Sequence, residues 1–222
     1  MDKIALQELP LRERKRARTR IALVEALLPR LAERPLEDIQ VAELVEAADI
    51  SAATFFNYFP TKADLLTHFI QLWSLQVSAL ARDVEARHES TLAAIEALFM
   101  STAEQTVDHP RVMLEIIVHL ARTGIQPLPI ERAERLMFLP EVEDVESLSD
   151  TGLTGILPDL LAKAVARGEL PAHTDIEGLM AAVWSVFVGV PLFLGGRNPK
   201  AVATLQRQQL RLLWAGAQAK VA

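Results

Sequence analysis

Apolar residues recur three and four positions apart along almost the whole chain, and alternating β-branched runs are few. An α-helix repeats every 3.6 residues, so this spacing collects apolar side chains on one helical face. The pattern therefore predicts an all-α fold. The first helix is expected over Arg14 to Glu33. Its inward stripe consists of Ala17, Ile21, Val24, Leu28 and Leu31.

Two short helices are predicted next, followed by a long one. The first short helix runs over Val41 to Ala48, and the second opens at Ser51, a residue type that caps helix N-termini. Pro60 ends the second. Thr61 and Asp64 then match a T-x-x-D capping box, in which each residue satisfies a backbone amide of the other. A long helix is expected to start there.

Five further helices are predicted in the rest of the chain. They span residues 91–107, 111–122, 153–167, 176–194 and 199–219, and "GGRNP" separates the last two. Residues 123–150 hold Pro127, Pro129 and Pro140 together with the acidic stretch "EVEDVESLSD". A lid, a loop and a broken helix are all compatible with this segment, because proline interrupts helices without fixing what replaces them.

Composition narrows the chemistry available to the protein. Half of the 222 residues are hydrophobic and cysteine is absent, which excludes disulfides, thiolate catalysis and cysteine-ligated metals. The five histidines lack metal-ligand spacing, and neither a nucleophile motif nor a phosphate-binding glycine loop occurs. We therefore expect no enzyme activity, no cofactor and no metal. The N-terminus has no apolar run of signal-peptide length, so a cytoplasmic location is expected.

Charge is distributed unevenly along the chain. The net charge is −6, yet residues 12–20, "RERKRARTR", carry six basic side chains against one acidic. Residues 1–62 balance at ten basic and ten acidic, whereas residues 63–222 hold thirteen basic and nineteen acidic. A basic arm on an acidic body suggests a small polyanion-binding module joined to a larger domain. We place that division at residue 62. A solvated, positively charged helix start is the alternative.

The two short helices have the arrangement of a helix-turn-helix unit, whose second helix enters the DNA major groove. Phe55 and Phe59 are four residues apart and can share the buried face of "SAATFFNYF". Phe56, Asn57 and Tyr58 must then point outward or sideways. The short residues before them would let the backbone approach DNA, and the hydroxyls and amide could bind phosphates or base edges.

With this motif, residues 14–66 resemble the N-terminal DNA-binding domain of the TetR family of bacterial transcriptional regulators. "ADISAATFFNYFPTKADLL" follows the family pattern, with two departures: Asp49 stands where glycine is usual, and Val45 replaces a small alanine. Aspartate tolerates a left-handed backbone better than most residues, so the first departure is mild. The resemblance implies a homodimer on a palindromic double-stranded operator, acting by default as a repressor that a small-molecule effector releases.

Two groups of residues are candidates for binding. The expected DNA-binding residues are Arg16, Arg20, Ser51, Ala52, Ala53, Thr54, Phe56, Asn57, Tyr58 and Lys62. Apolar side chains with two polar neighbours suggest a site for a bulky apolar effector. Its candidate residues are Trp73, Gln76, Phe99, Met100, Met113, Ile116, His119, Met180, Trp184 and Phe187. A helical small-molecule-binding or scaffold protein without DNA binding remains an alternative.

The last two helices carry more apolar residues than one small core should bury, which favours dimerisation through them. They include Val183, Trp184, Phe187, Val190, Leu205, Leu212, Leu213 and Gly216. Residues 178–196 contain no charge and approach transmembrane length, so a membrane-associated protein is a further alternative. Gly189 and Pro191 within the stretch, and the amphipathic character of the other helices, favour a buried helix over a membrane span.

Overall fold

The computed structural model describes residues 6–88, 90–124, 130–194 and 197–219. In these ranges the chain is helical and contains no strand, so the all-α prediction is confirmed. Pro127, Pro129 and the glycine pair of "GGRNP" lie outside the described residues. The chain groups into two compact units. The first contains residues 1–79 and 118–152, and the second residues 80–117 and 153–222. The functional division at residue 62 stays a prediction.

The first unit begins with helix α1, Leu11–Glu33, which starts one turn earlier than predicted. A 3-10 turn at Leu36–Asp38 leads to α2, Val41–Ala47, and then to α3, Ala52–Tyr58. Helix α4, Lys62–Arg87, starts in this unit and continues into the second. The core of the unit contains Phe55 and fully buried leucines from α1 and α4.

Residues 118–152 return to the first unit. They include the C-terminal part of α6, Pro110–Thr123, then α7, Arg132–Phe138, and a 3-10 turn at Val145–Ser147. Helix α7 packs against α1. The segment left open by the sequence is therefore, where described, a short helix followed by a turn, and it is part of the unit that holds the helix-turn-helix.

The second unit contains α5, Thr91–Asp108, the N-terminal part of α6, and α8, Leu153–Ala166. Helix α9, Ile176–Leu194, has its predicted bounds. A 3-10 turn at Pro199–Ala201 precedes α10, Val202–Gln218. Helices α9, α5 and α10 pack on one another, and α8 packs against α9 and α5.

Candidate DNA-binding interface

Local hydrogen bonds cap the start of α3 and the start of α4. The Ser51 hydroxyl accepts from the Thr54 amide at 3.1 Å, which confirms Ser51 as the N-cap. Beyond α3, the Thr61 amide donates to the Asp64 carboxylate at 2.8 Å and the Asp64 amide donates to the Thr61 hydroxyl at 3.2 Å. This reciprocal pair is the predicted capping box. Helix α3 therefore ends before Pro60, and α4 begins after it with a cap of its own.

The turn before α3 depends on Asp49. Its φ of +52° lies in the left-handed region. There the Asp49 amide donates to the Glu46 carbonyl at 3.2 Å, and the Ile50 amide donates to the Val45 carbonyl at 3.0 Å. Carbonyls at the end of α2 are satisfied in this way, as at many helix C-termini. Aspartate therefore adopts the conformation for which glycine is usual.

One face of α3 is buried, as its spacing predicts. Phe55 is fully enclosed and Phe59 almost so, with ring centroids 6.1 Å apart. Both rings point into the core of the first unit. Because α3 has only seven residues, these two anchors fix its rotation about its own axis.

The opposite face of α3 is open. Ser51, Ala52, Ala53 and Asn57 are exposed, and the Phe56 side chain is 52% exposed while its ring stands edge-on to Phe55 at 5.3 Å. An exposed phenylalanine beside short polar residues can meet thymine methyls or sugars, and asparagine can bond a base edge. The predicted outward position of Phe56 and Asn57 is thus observed.

Thr54 and Tyr58 are only half-buried and sit at the edge of this face. The Thr54 hydroxyl lies 2.9 Å from the Ser51 hydroxyl. The Arg16 guanidinium of α1 lies over the Tyr58 ring, 5.8 Å from its centroid, and its Nε is 3.2 Å from a Glu131 carboxylate oxygen. Arg16 thus joins α1 to α3 while half of its side chain faces solvent.

A basic cleft lies beside Tyr58. It is lined by Leu11, Arg12, Lys15, Arg16 and Tyr58. The sequence pattern did not single out Arg12 and Lys15 as DNA contacts, although they belong to the same basic run. Lys15 and Arg16 follow Arg12 by three and four residues, and this spacing is the signal that places the three cations towards one face of α1.

Arg20 has a different environment from the one expected. It is 8% exposed, and its Nη1 lies 3.2 Å from a carboxylate oxygen of Glu134, which is fully buried. Its Nη2 donates to Nδ1 of His68 at 3.1 Å. A cation enclosed in this way has no access to a phosphate, so Arg20 is removed from the candidate DNA contacts.

The same cluster fixes the His68 tautomer and the charge of Glu134. Arginine can only donate, so Nδ1 of His68 accepts and a ring proton is on Nε2, 3.0 Å from Glu134 Oε1, although the N–H is not in line with that oxygen. Burial raises the pKa of Glu134, but His68 and Arg20 outweigh burial and hold the pKa below its usual value. Glu134 is therefore ionised at neutral pH.

Lys62 is also engaged inside the unit. Its Nζ donates to the backbone carbonyls of Leu36, Glu37 and Ile39 at 2.8, 2.9 and 2.6 Å. An ammonium has three protons, and all of them are used here. Lys62 thus ties the start of α4 to the turn after α1, and it too is removed from the candidate phosphate contacts.

The candidate effector residues divide between the two units. In the second unit Phe99, Trp184 and Phe187 form an aromatic cluster, with centroids 5.0 Å apart for Phe99 and Phe187 and 5.7 Å apart for Trp184 and Phe187. Met113 and Ile116 are buried there, while Met100 and Met180 are half-buried. The role of these residues in effector binding stays a prediction.

The remaining effector candidates belong to the first unit. Gln76 is exposed and Trp73 is half-buried. His119 is buried, with its Nε2 2.8 Å from the Thr67 hydroxyl. Burial lowers the pKa of His119, and Arg122 lowers it further while Asp64 acts in the opposite direction. His119 is thus neutral at pH 7 and already has a polar partner.

The last two helices leave large apolar side chains uncovered. Phe193 and Leu192 of α9 are mainly exposed, and Leu212 of α10 is 73% exposed. A Cβ placed on Gly189 or Gly216 would meet no atom within 4 Å, so both glycines leave open space on these helices. Val183, Phe187 and Val190 are instead buried within the second unit.

Within the described residues, α9 is also the helix long and apolar enough to cross a membrane, with a mean hydropathy of 1.8. A single helix of this kind is weak evidence for a membrane location. Among the same residues, no group of three or more histidine, aspartate and glutamate side chains is placed to hold a metal ion.

Comparison with known proteins agrees with this geometry. The model of the bacterial regulatory proteins of the tetR family matches residues 23–69, which cover the helix-turn-helix. No curated protein matches the sequence. Solved structures do match in fold. FadR of Thermus thermophilus, a TetR family transcriptional repressor solved with lauroyl-CoA, has a TM-score of 0.66 at 19% identity, covering 91% of this chain and 97% of its own.

Two other solved structures have similar folds. FadR of Bacillus subtilis, solved with stearoyl-CoA, has a TM-score of 0.64 at 14% identity over 88% of this chain and 98% of its own. The ketosteroid regulator of Mycobacterium tuberculosis has a TM-score of 0.57 at 17% identity over 90% and 95%. The helix-turn-helix at residues 23–69 thus matches the TetR family of bacterial regulatory proteins, and the chain as a whole shares the all-helical fold of a solved TetR family repressor.

Proposed function

We propose that the chain is a cytoplasmic, homodimeric repressor that binds a palindromic operator and is released by a bulky apolar effector. The observation that carries the proposal is the two-faced α3, which holds Phe55 and Phe59 in the core while Phe56 and Asn57 face solvent. The exposed face of such a helix can enter a major groove while Phe55 and Phe59 stay packed in the core. In a symmetric dimer the two copies would meet half-sites about 35 Å apart or a multiple of that distance.

The residues of the proposed interface have distinct roles. Asn57 would contact base edges and Phe56 thymine methyls. The hydroxyls of Thr54 and Tyr58 would donate hydrogen bonds to phosphate oxygens. Arg12, Lys15 and Arg16 would supply the positive charge, since Arg20 and Lys62 are engaged inside the unit. Ser51, Ala52 and Ala53 keep the start of α3 small enough for close approach.

Two substitutions separate base reading from phosphate binding. Asn57→Ala is expected to weaken the preference for the operator over other duplexes by about 1–3 kcal/mol. Arg12→Gln is expected to weaken binding to all duplexes alike and to lower the slope of log K against log salt by about 0.9 for each phosphate that is no longer neutralised. Fluorescence anisotropy on duplexes selected by the parent protein from a random pool measures both effects.

A parent protein that selects no duplex, or whose affinity does not fall with salt, would rule out the DNA-binding proposal. Reversed behaviour of Asn57→Ala and Arg12→Gln would contradict only the assignment of roles. A matched control is Arg167→Gln, which removes an exposed arginine from the second unit and is expected to leave DNA affinity unchanged.

The effector proposal rests on the aromatic cluster of Phe99, Trp184 and Phe187 and on the apolar residues around it. The two FadR structures contain acyl-CoA molecules, so an acyl chain is the first class to test here. Adding lauroyl-CoA or stearoyl-CoA to the operator complex should release DNA. Binding of DNA and effector must then weaken each other by the same factor. Release by neither compound would exclude these acyl thioesters as effectors.

The dimer proposal rests on the exposed apolar side chains of α9 and α10. Leu192, Phe193 and Leu212 form surface that water solvates poorly, and the open space at Gly189 and Gly216 permits close helix approach. Isologous packing of the two helices on their copies would give a four-helix arrangement. A monomeric mass at micromolar concentration would contradict it.

A further inference from the structure

We infer that α7 holds the reading helix α3 in position for DNA through a buried brace formed by Glu134, Arg20 and His68. The inference rests on the proposed DNA binding, because it assigns these three side chains as positioning residues for recognition. None of them reaches the solvent-exposed face of α3. They act through the side chains that support that face.

The buried route can be followed contact by contact. Glu134 of α7 lies 3.2 Å from the Arg20 guanidinium and 3.0 Å from the His68 ring. The Arg20 guanidinium is positioned over the Phe59 ring at 5.4 Å from its centroid, and the His68 ring lies 5.4 Å from the same ring. Phe59 in turn packs on Phe55, the anchor of α3.

A second route runs along the surface. Glu131, the residue before the first turn of α7, is 3.2 Å from Arg16 Nε and 3.7 Å from Arg20 Nη1. Arg16 then lies over Tyr58 at the end of α3. The N-terminal turn of α7 therefore connects to both parts of the support, the buried Phe59 and the partly exposed Tyr58. A shift of α7 would move both residues together.

Burial makes this connection stiff. Glu134 is completely enclosed and His68 is 1% exposed, so neither can exchange its partner for water without a large cost in desolvation. Such clusters add little net stability compared with apolar residues of the same volume, but they specify one geometry because charges require defined partners. We therefore assign the cluster to the orientation of α3 more than to the stability of the fold.

Replacing the whole brace tests this assignment. The variant Arg20→Met/His68→Leu/Glu134→Leu keeps the volume and removes the charges, which usually preserves folding. The single variant Glu134→Gln keeps the shape and removes one charge. Arg132→Gln is the matched control, since it breaks an exposed α7 pair with Glu146 at 2.7 Å. Circular dichroism establishes that each variant is folded at the temperature of the binding assay.

The probe is a duplex of about 30 base pairs that the parent protein selects from a random pool, long enough for two half-sites one turn apart. A scrambled duplex of the same composition provides the comparison. The measured quantities are the ratio of the two affinities and the salt slope of each. Failure of the parent to select any duplex would reject the proposed function itself. The affinity ratios of the variants instead test whether the brace positions α3.

For the triple variant, we expect the ratio of affinities for the selected and the scrambled duplex to fall about tenfold, as after the loss of one base contact. The salt dependence of its affinity should be unchanged. Arg132→Gln should match the parent. A folded triple variant with the parental ratio would overturn the inference. So would a slope lowered by about 0.9 per phosphate, because Arg20 would then contact DNA directly. If the triple variant does not fold, the same affinity ratio is measured for Glu134→Gln. A ratio equal to that of the parent would then overturn the inference.

Discussion

The reading helix α3 and the last helix pair both expose large side chains, but their neighbours differ. On α3 one phenylalanine stands among short residues, next to a cleft containing Arg12, Lys15 and Arg16. On α9 and α10 the exposed Leu192, Phe193 and Leu212 are large and apolar. The surface of α3 suits a charged partner with a groove, such as DNA, whereas the surface of α9 and α10 suits an apolar protein surface. Exposure alone does not identify a partner, whereas the residues around it do.

The largest expected effect comes from the buried side of α3. Phe55→Ala should lower the free energy of unfolding by about 3–5 kcal/mol, because it leaves a cavity in the core of the first unit. Phe56→Ala, its exposed neighbour, should change stability by less than about 0.5 kcal/mol while still weakening DNA binding. Urea titrations followed by circular dichroism measure the two values. Equal destabilisation by both substitutions would contradict the two-faced helix.

The second effect concerns the apolar surface of the last helix pair. Leu212→Glu should place like charges in the proposed dimer interface and raise its dissociation constant by about a hundredfold or more, since such juxtaposition costs several kcal/mol. Leu114→Glu, an exposed leucine of α6, is the control. Analytical ultracentrifugation reports the mass of each protein. A Leu212→Glu dimer as tight as the parent would place the interface elsewhere.

A smaller effect is expected at the start of α3. Ser51→Ala removes the hydroxyl that caps the helix and should cost about 1 kcal/mol. Ser185→Ala is the matched control, since this exposed α9 hydroxyl donates to the Ala181 carbonyl one turn earlier and caps no helix start. Thermal unfolding of both variants measures the difference. A larger loss from Ser185→Ala would show that the cap does not determine the stability of α3.

The smallest effect is a pH dependence from His119. Its pKa is lowered in the folded state, so below its ordinary value the unfolded chain binds more protons. This contribution to stability is present near pH 7 and is lost as the pH falls below the ordinary pKa of histidine, towards the lowered pKa of His119. His119→Gln should make the fall in melting temperature over this range shallower. An unchanged pH profile would show that Asp64 offsets the effect of burial.

Much of the first unit could be predicted from the sequence because its signals are local. The N-cap at Ser51 and the capping box at Thr61 and Asp64 depend on residues within four positions of each other. The inward pair Phe55 and Phe59 follows from helical spacing alone. These features join residues that are close in the sequence, so they can be predicted without knowledge of the tertiary structure.

The sequence did not predict the side-chain contacts that join residues distant along the chain. Arg20 belongs to the basic run, yet it falls between Ala17 and Val24 on the buried stripe of α1, and its partners are 48 and 114 residues away. Spacing could have indicated its burial, but not that Glu134 would neutralise it. Lys62 meets carbonyls more than twenty residues earlier, and no local pattern predicts that.

The effector site was the least predictable part. Met, Phe and Trp at helical spacing suit a core and a pocket equally well, because both need apolar side chains on inward faces. The structure groups Phe99, Trp184 and Phe187 in the second unit and keeps Trp73 and His119 in the first. Which of these residues touch an effector depends on a molecule whose shape the sequence does not contain.

The three carbonyls around Lys62 have a consequence for chemical modification. An acetyl group on this nitrogen would remove the charge and leave one proton where three are needed. Arginine is no substitute, because its flat guanidinium cannot direct three protons at a single converging site. Acetylation of Lys62 should therefore loosen the corner between α1 and α4 at one atom that lies outside the proposed DNA contacts.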